Sequence, residues 1–168
     1  MKMLYTPWRE EYTDTTAQGP KGQNDTTADD CVFCQHLREN NDDHHFILKR
    51  YEHTYIVLNR YPYNAGHILI LPLEHKAHLY DFSSAVKMEL MEHISFTTSV
   101  LQKELECHGL NVGINMGKAA GAGIPSHLHI HVLPRWSGDT NFLPIIGGTK
   151  VVSTNLAALY ERLKIHFV

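Results

Sequence analysis

Apolar residues along this chain fall into two rhythms. Over residues 55–58 and 67–71 they run together, parted by Pro62, Asn64 and Gly66. Short apolar runs divided by such turn residues predict two antiparallel strands joined by a longer loop. From residue 84 to about 107 the spacing widens: Val86, Leu90, Ile94, Leu101 and Leu105 recur at helical intervals, interrupted over 96–100. This predicts one long helix, with Gly109 standing where a C-terminal cap belongs. Residues 110–116 alternate again, a glycine-rich loop fills 117–123, and His127, Leu128, His129, Ile130, His131 and Val132 alternate strictly. Residues 155–163 carry the pattern of a short amphipathic helix. Strands joined mainly as hairpins around one long helix and a short C-terminal one give an α+β class with an antiparallel sheet.

The first thirty residues break these patterns. Residues 13–30 are rich in Thr, Asp, Gly, Gln and Asn, which predicts a mobile linker. Before it, Leu4, Tyr5, Pro7, Trp8 and Tyr12 form an aromatic patch expected to dock back on the remainder, residues 31–168, read as a single domain. With 168 residues, 43% of them hydrophobic and 20% charged, the chain has material for one well-filled core. A net charge of −3 gives no footprint for duplex nucleic acid, so no nucleic-acid partner is expected. No run approaches the roughly 18 apolar residues of a membrane span, and the first dozen residues lack the apolar centre of a secretory signal. No membrane partner and a cytoplasmic location are the expectation. Three cysteines are too few for a disulfide framework and point to thiols or metal ligands.

The histidine row is the strongest chemical signal. On a strand, every second side chain shares a face, so Leu128, Ile130 and Val132 are expected to enter the core while His127, His129 and His131 line the opposite surface. Three readings compete: a polar surface that happens to be histidine, a three-histidine metal site, and a neutral imidazole nucleophile flanked by hydrogen-bonding histidines. Same-face neighbours lie about 7 Å apart along a strand, so three in line fit poorly around one ion. The loop Gly117-Lys118-Ala119-Ala120-Gly121-Ala122-Gly123 lets backbone N–H groups approach an anion closely, which favours a nucleophile and oxyanion donors converging on one phosphate.

These residues resemble a known family. His127 to Leu133 is similar to the His-φ-His-φ-His-φ-φ signature of the histidine triad superfamily, φ being apolar. Asn59, Pro62 and the run from Gly66 to Pro72 look like that family's nucleotide-binding hairpin. Residues 4–9, 134–142 and 147–150 resemble the branch that contains diadenosine tetraphosphate phosphorylases. The resemblance implies a HIT-like fold and a catalytic row of His127, His129 and His131. His129 would attack the α-phosphorus and carry the nucleotidyl group, and His131 would bind phosphate oxygens. Asn59 would meet the ribose, and His67 would lie near the nucleotide. Asn115, Gly121, Gly123 and Ser126 would complete the nucleotide and phosphate site. Many members carry Gln and then Ser or Thr at the positions of Gly123 and Ile124; Ser126 is then either a substitute hydroxyl or an ordinary strand-start serine.

The resemblance implies a dinucleoside polyphosphate or other nucleotide as substrate, orthophosphate or water as acceptor, and a homodimer or higher homo-oligomer. A divalent ion accompanying the substrate is also considered. The runner-up functions are hydrolysis of nucleotide conjugates such as phosphoramidates, and a nucleotide-binding module with little turnover. Cys31 and Cys34 form a C-x-x-C pair, open to zinc binding, a partial site or redox chemistry. Zinc-bearing members of the superfamily look similar, with two cysteines, a histidine shortly after the second hairpin strand and the first triad histidine. That likeness names Cys31, Cys34, His75 and His127 as ligands of a structural zinc. Arg135 is a candidate polyphosphate contact, and Asp139 a turn cap.

Overall fold

The computed structural model describes residues 27–139 and 155–167. The expected aromatic patch, most of the linker, and the stretch around Asn141 and Lys150 lie outside them. Helices are α1 (Val32–Glu39), the single turn α2 (Asp42–His45), α3 (Ser84–Leu105) and α4 (Leu156–Lys164). Strands are β1 (Ile47–Arg50), β2 (Thr54–Leu58), β3 (Ile68–Pro72), β4 (Gly109–Ile114) and β5 (Ile130–Arg135). All neighbouring pairs are antiparallel, in the order β1-β2-β3-β5-β4. The α+β expectation therefore holds, with both hairpin strands and the long helix in place. No described helix is long and apolar enough to cross a membrane.

The sheet divides the interior in two. On one face Ile56, Leu58, Ile68, Ile70, Leu128, Ile130 and Val132 pack under α3 and α4, joined by Val86, Leu90, Leu101, Leu159 and Leu163. On the other face Tyr55, Val57, Leu69 and Leu71 pack against Cys31, Phe33 and Cys34 from the start of α1. Register explains the division: Ile70 faces Ile130 and Ile68 faces Val132, so even-numbered β5 residues share the α3 side.

Two expectations about α3 are corrected. The run over 96–100 does not interrupt the helix; Thr97 is fully buried and Val100 packs in the core, so the seam continues through it. Gly109 is the first residue of β4, and the helix stops earlier. Glu106 takes the left-handed conformation at φ 47°, a position usually given to glycine. At the other end Ser83 caps the helix, its Oγ accepting the Val86 N–H at 3.3 Å. Gly66 does need to be glycine: its φ is +75°, and a Cβ there would lie 2.4 Å from Leu105 Cδ1. That close approach seats the β2–β3 loop against the end of α3.

α1 and β1 had no sequence expectation. Cys31 immediately precedes α1 and Cys34 lies in its first turn. The last residues of the stretch read as linker, 27–30, form a turn against it, with Arg38 donating to the Ala28 and Asp29 carbonyls. Tyr160 of α4 places its hydroxyl 2.9 Å from both Asp43 Oδ1 and the Ile47 carbonyl, fastening the C-terminal helix to α2 and β1.

Candidate functional site

His131 lies on β5 opposite Leu69 of β3 and Gly113 of β4, while His127 and His129 lie in the irregular segment just before the strand. The expectation that the three rings line an open surface is corrected: His127 is 1% and His129 5% exposed. α1 covers them. The Phe33 ring centroid sits 5.5 Å from that of His127 and 5.4 Å from that of His129. Alternation along the strand fixed the face but carried no information about what would be laid over it.

At the covered end, His127 Nδ1 lies 3.4 Å from Cys31 Sγ and 3.5 Å from Cys34 Sγ, and His75 Nδ1 lies 3.4 Å from Cys34 Sγ. The four ligand atoms fall within 4.8 Å of one another. Tetrahedral zinc with metal–sulfur bonds of about 2.3 Å and metal–nitrogen bonds of about 2.0 Å would set N···S edges of about 3.5 Å. The donor set and spacing therefore fit such an ion. His127 Nε2 is 2.9 Å from the Pro72 carbonyl, to which it donates, leaving Nδ1 as the free lone pair. Burial lowers the His127 pKa to about 4, against the raising effect of that hydrogen bond. A neutral imidazole is what a metal requires.

The middle ring has the reverse arrangement. His129 Nδ1 is 2.8 Å from the His127 carbonyl, and a carbonyl only accepts, so Nδ1 carries the hydrogen and Nε2 the lone pair. Burial pushes the His129 pKa below its ordinary value, partly offset by that bond. The outcome is a neutral imidazole with one free nucleophilic nitrogen.

At the third ring the protonation pattern follows from main chain. Asn59 Oδ1 accepts the Tyr61 backbone N–H at 3.0 Å, which turns its Nδ2 toward His67 Nδ1 at 3.1 Å. The Tyr63 N–H donates to the same nitrogen, also at 3.1 Å. With two donors on Nδ1, His67 must carry its hydrogen on Nε2, which lies 2.9 Å from His131 Nδ1. His131 is thereby left with its hydrogen on Nε2, a buried donor with no partner among the described residues. Burial first, then neighbouring histidines, lower the His67 pKa to about 3; burial and His129 lower that of His131 to about 4. The face thus presents one free lone pair and one free donor side by side, ring centroids 5.0 Å apart. A lone pair to attack and a donor to hold an oxygen are the elements of transfer at phosphorus or at an acyl carbon.

A family model described as the HIT domain matches residues 39–138. The chain belongs to the HIT domain family. It is 36% identical over 153 residues to an AP-4-A phosphorylase of Mycobacterium tuberculosis, covering 90% of this chain and 77% of that protein. Among solved structures, a Zn-bound histidine triad family protein from Mycobacterium smegmatis superposes with a TM-score of 0.67 at 22% identity, over 84% of this chain and 95% of that one. A hypothetical histidine triad nucleotide-binding protein from Sulfolobus tokodaii gives 0.66 at 22%, over 82% and 91%. These likenesses establish the HIT-like fold.

The remaining residues expected from the HIT resemblance group unevenly. Gly117 and Gly121 bracket a 3₁₀ turn, Lys118–Ala120, at φ 83° and 88°, and a Cβ at either would meet nothing within 4 Å. Gly123 is equally open. The half-buried Ser126 has its Oγ buried without a partner among the described residues. Asn115 is half-buried just past β4, beyond Gly113 on the histidine side. Asn59 has both amide groups engaged within the chain, as described, and Arg135 is committed to Asp139 and Asn111. Two participants escaped sequence reasoning: Phe33, as the lid over His129, and the Tyr63 backbone. Phe33 stands inside the C-x-x-C pair, so its place was marked although its role was not.

Proposed function

We propose that this HIT-type enzyme transfers a nucleotidyl group from a dinucleoside polyphosphate such as diadenosine tetraphosphate through a covalent intermediate on His129. The observation that carries the reading is the set of ring contacts, His129 Nδ1 on the His127 carbonyl and His131 Nδ1 on His67 Nε2, which leaves a free Nε2 lone pair on His129 beside an Nε2–H on His131. His129 Nε2 forms a bond to the α-phosphorus as the bond from that phosphorus to the β-bridging oxygen breaks, and ATP leaves. His131 donates to a non-bridging oxygen. Ser126 supplies a hydroxyl on the leaving-group side, and the backbone of 117–123 contributes N–H donors. Orthophosphate then takes the AMP group from His129 to give ADP, whereas water would give AMP. Likeness to the mycobacterial AP-4-A phosphorylase supports orthophosphate as acceptor and a dinucleoside polyphosphate as substrate.

His127 has no free nitrogen for the reaction in this scheme. Cys31, Cys34, His75 and His127 would hold a structural zinc, a reading supported by their geometry and by the Zn-bound neighbour of the same fold. Bound there, the ion supplies cross-linking between α1, the segment after β3 and the approach to β5. The His127 main-chain carbonyl is the group that orients His129, so whatever fixes His127 also fixes the nucleophile. Residues 31–168 form the single catalytic domain in this account, acting in the cytoplasm as a homodimer.

Incubation of the full chain with diadenosine tetraphosphate, with and without orthophosphate, followed by ion-exchange chromatography, tests the proposal. ADP plus ATP formed only with phosphate is the expected result. AMP plus ATP without phosphate would make the acceptor water, and no turnover at all would overturn the assignment in favour of nucleotide conjugates or a binding module.

A further inference from the structure

Arg135, Asp139 and Asn64 form a hub joining segments distant in sequence. The Asp139 side chain is 7% exposed. It accepts from Arg135 Nε at 2.6 Å and Nη2 at 2.8 Å, from the Trp136 backbone N–H at 3.2 Å and from Asn64 Nδ2 at 2.9 Å. Closing the turn over 136–139 needs only the Trp136 contact. The others reach outward: Asn64, itself buried, also donates to the Pro134 carbonyl at 2.9 Å, and Arg135 Nη1 reaches Asn111 Oδ1 on β4 at 2.8 Å.

What the hub grips is the β2–β3 loop at its critical residue. Asn64 directly follows Tyr63, whose N–H points at His67 Nδ1, and the Asn64 carbonyl accepts the His67 N–H at 3.2 Å. The orientation of one peptide group therefore helps decide which nitrogen of His67 bears hydrogen, and His67 in turn decides the same for His131. Nothing else in the relay requires a carboxylate, yet the loop carrying it is pinned by a buried one.

We propose that Asp139, braced by Arg135 and acting through Asn64, is a positioning residue that sets the tautomers of His67 and His131, so that His131 offers its Nε2–H to the substrate. The clause about substrate rests on the phosphate-binding reading of His131; the tautomer claim does not.

Long-range ¹H–¹⁵N correlation of the labelled full chain distinguishes Nδ1–H from Nε2–H imidazoles without any substrate. Wild type at pH 7.5 is expected to show both rings as Nε2–H. Asn64→Ala cuts the tether and leaves the Arg135–Asp139 pair intact. It should give mixed tautomers at His67 and His131, with kcat reduced up to about a hundredfold and KM changed less than about threefold. Asp139→Asn preserves shape, should produce the same shift, and serves if Asn64→Ala fails to fold. Unchanged tautomers in a folded variant overturn the proposal whatever happens to activity, as does a wild type whose His131 carries Nδ1–H. Shifted tautomers with full turnover would uphold the positioning and remove His131 from the phosphate.

Discussion

The two ends of the histidine row use the same side chain in opposite ways. His127 gives its Nε2 hydrogen to the Pro72 carbonyl and turns Nδ1 toward two thiols and a second imidazole; His131 receives a hydrogen bond on Nδ1 and keeps a buried Nε2–H with no partner among the described residues. They stand four residues apart on one face. The difference comes from what the partner segments offer: acceptors and sulfur at the α1 end, main-chain donors relayed through His67 at the other. A histidine signature therefore specifies a row of imidazoles, and their chemistry is assigned by residues outside the row.

The largest effect should come from breaking the covered end. His75 is only half-buried, so without a metal His75→Ala would be nearly silent, whereas a ligand of a structural zinc is strongly coupled to folding. The expected outcome is loss of the bound metal and a stability loss of about 3 kcal/mol or more, roughly 6–12 °C in a chain of this size. Elemental analysis with thermal melts, with and without chelator, checks it. Metal content unchanged from wild type would remove His75 from the ligand set.

A smaller change should sharpen the contrast at the open end. Gly113 faces His131 across the β4–β5 pair, and a Cβ there meets nothing within 4 Å. Gly113→Val adds bulk on the His131 face of β4, in a strand that accepts a β-branched residue well. KM should rise about tenfold with an undiminished melting temperature, since the loss falls on binding rather than folding. An unaltered KM would place the substrate elsewhere.

The smallest effect near neutral pH, where it only begins, is a pH dependence of stability. His67 and His131 titrate at about 3 and about 4 when folded, against about 6.5 in an unfolded chain. Their contribution is complete above about pH 6.5. As pH falls from there toward 4, the unfolded chain takes up protons that the fold refuses, and stability declines. Urea unfolding between pH 7 and pH 4 should show a shallower decline in His67→Asn than in wild type. Parallel curves would show that His67 is not held neutral by the fold.

What repeats along the chain was legible in the sequence; what is laid across it was not. Continuous apolar runs located β2 and β3, and strict alternation located the triad approach, because both patterns are local properties. α1 went unread: eight residues around a C-x-x-C pair carry little periodicity, and its effect, burying His127 and His129 under Phe33, is tertiary. β1 is four residues long with a register shift between Ile47 and Lys49, too short to announce itself. The misplaced helix end has a plain cause, since a glycine at 109 outranks a glutamate at 106 on every propensity argument, yet Glu106 holds the left-handed position. The four metal-capable residues were named from likeness and are found together. The Asn59–Tyr63–His67–His131 relay depends on two main-chain N–H groups that no sequence pattern displays.

The proposed transfer depends on the free lone pair of His129, and its most direct test is to trap the group that nitrogen would carry. The protein is quenched in mid-turnover with diadenosine tetraphosphate and digested under mildly basic conditions that spare phosphoramidates, and its peptides are mapped by mass spectrometry. An adenylyl group on His129, absent from His129→Ala while that variant still binds nucleotide within about tenfold of wild type, is the predicted result. Undiminished turnover by His129→Ala, or an adduct mapped to His131, would contradict it.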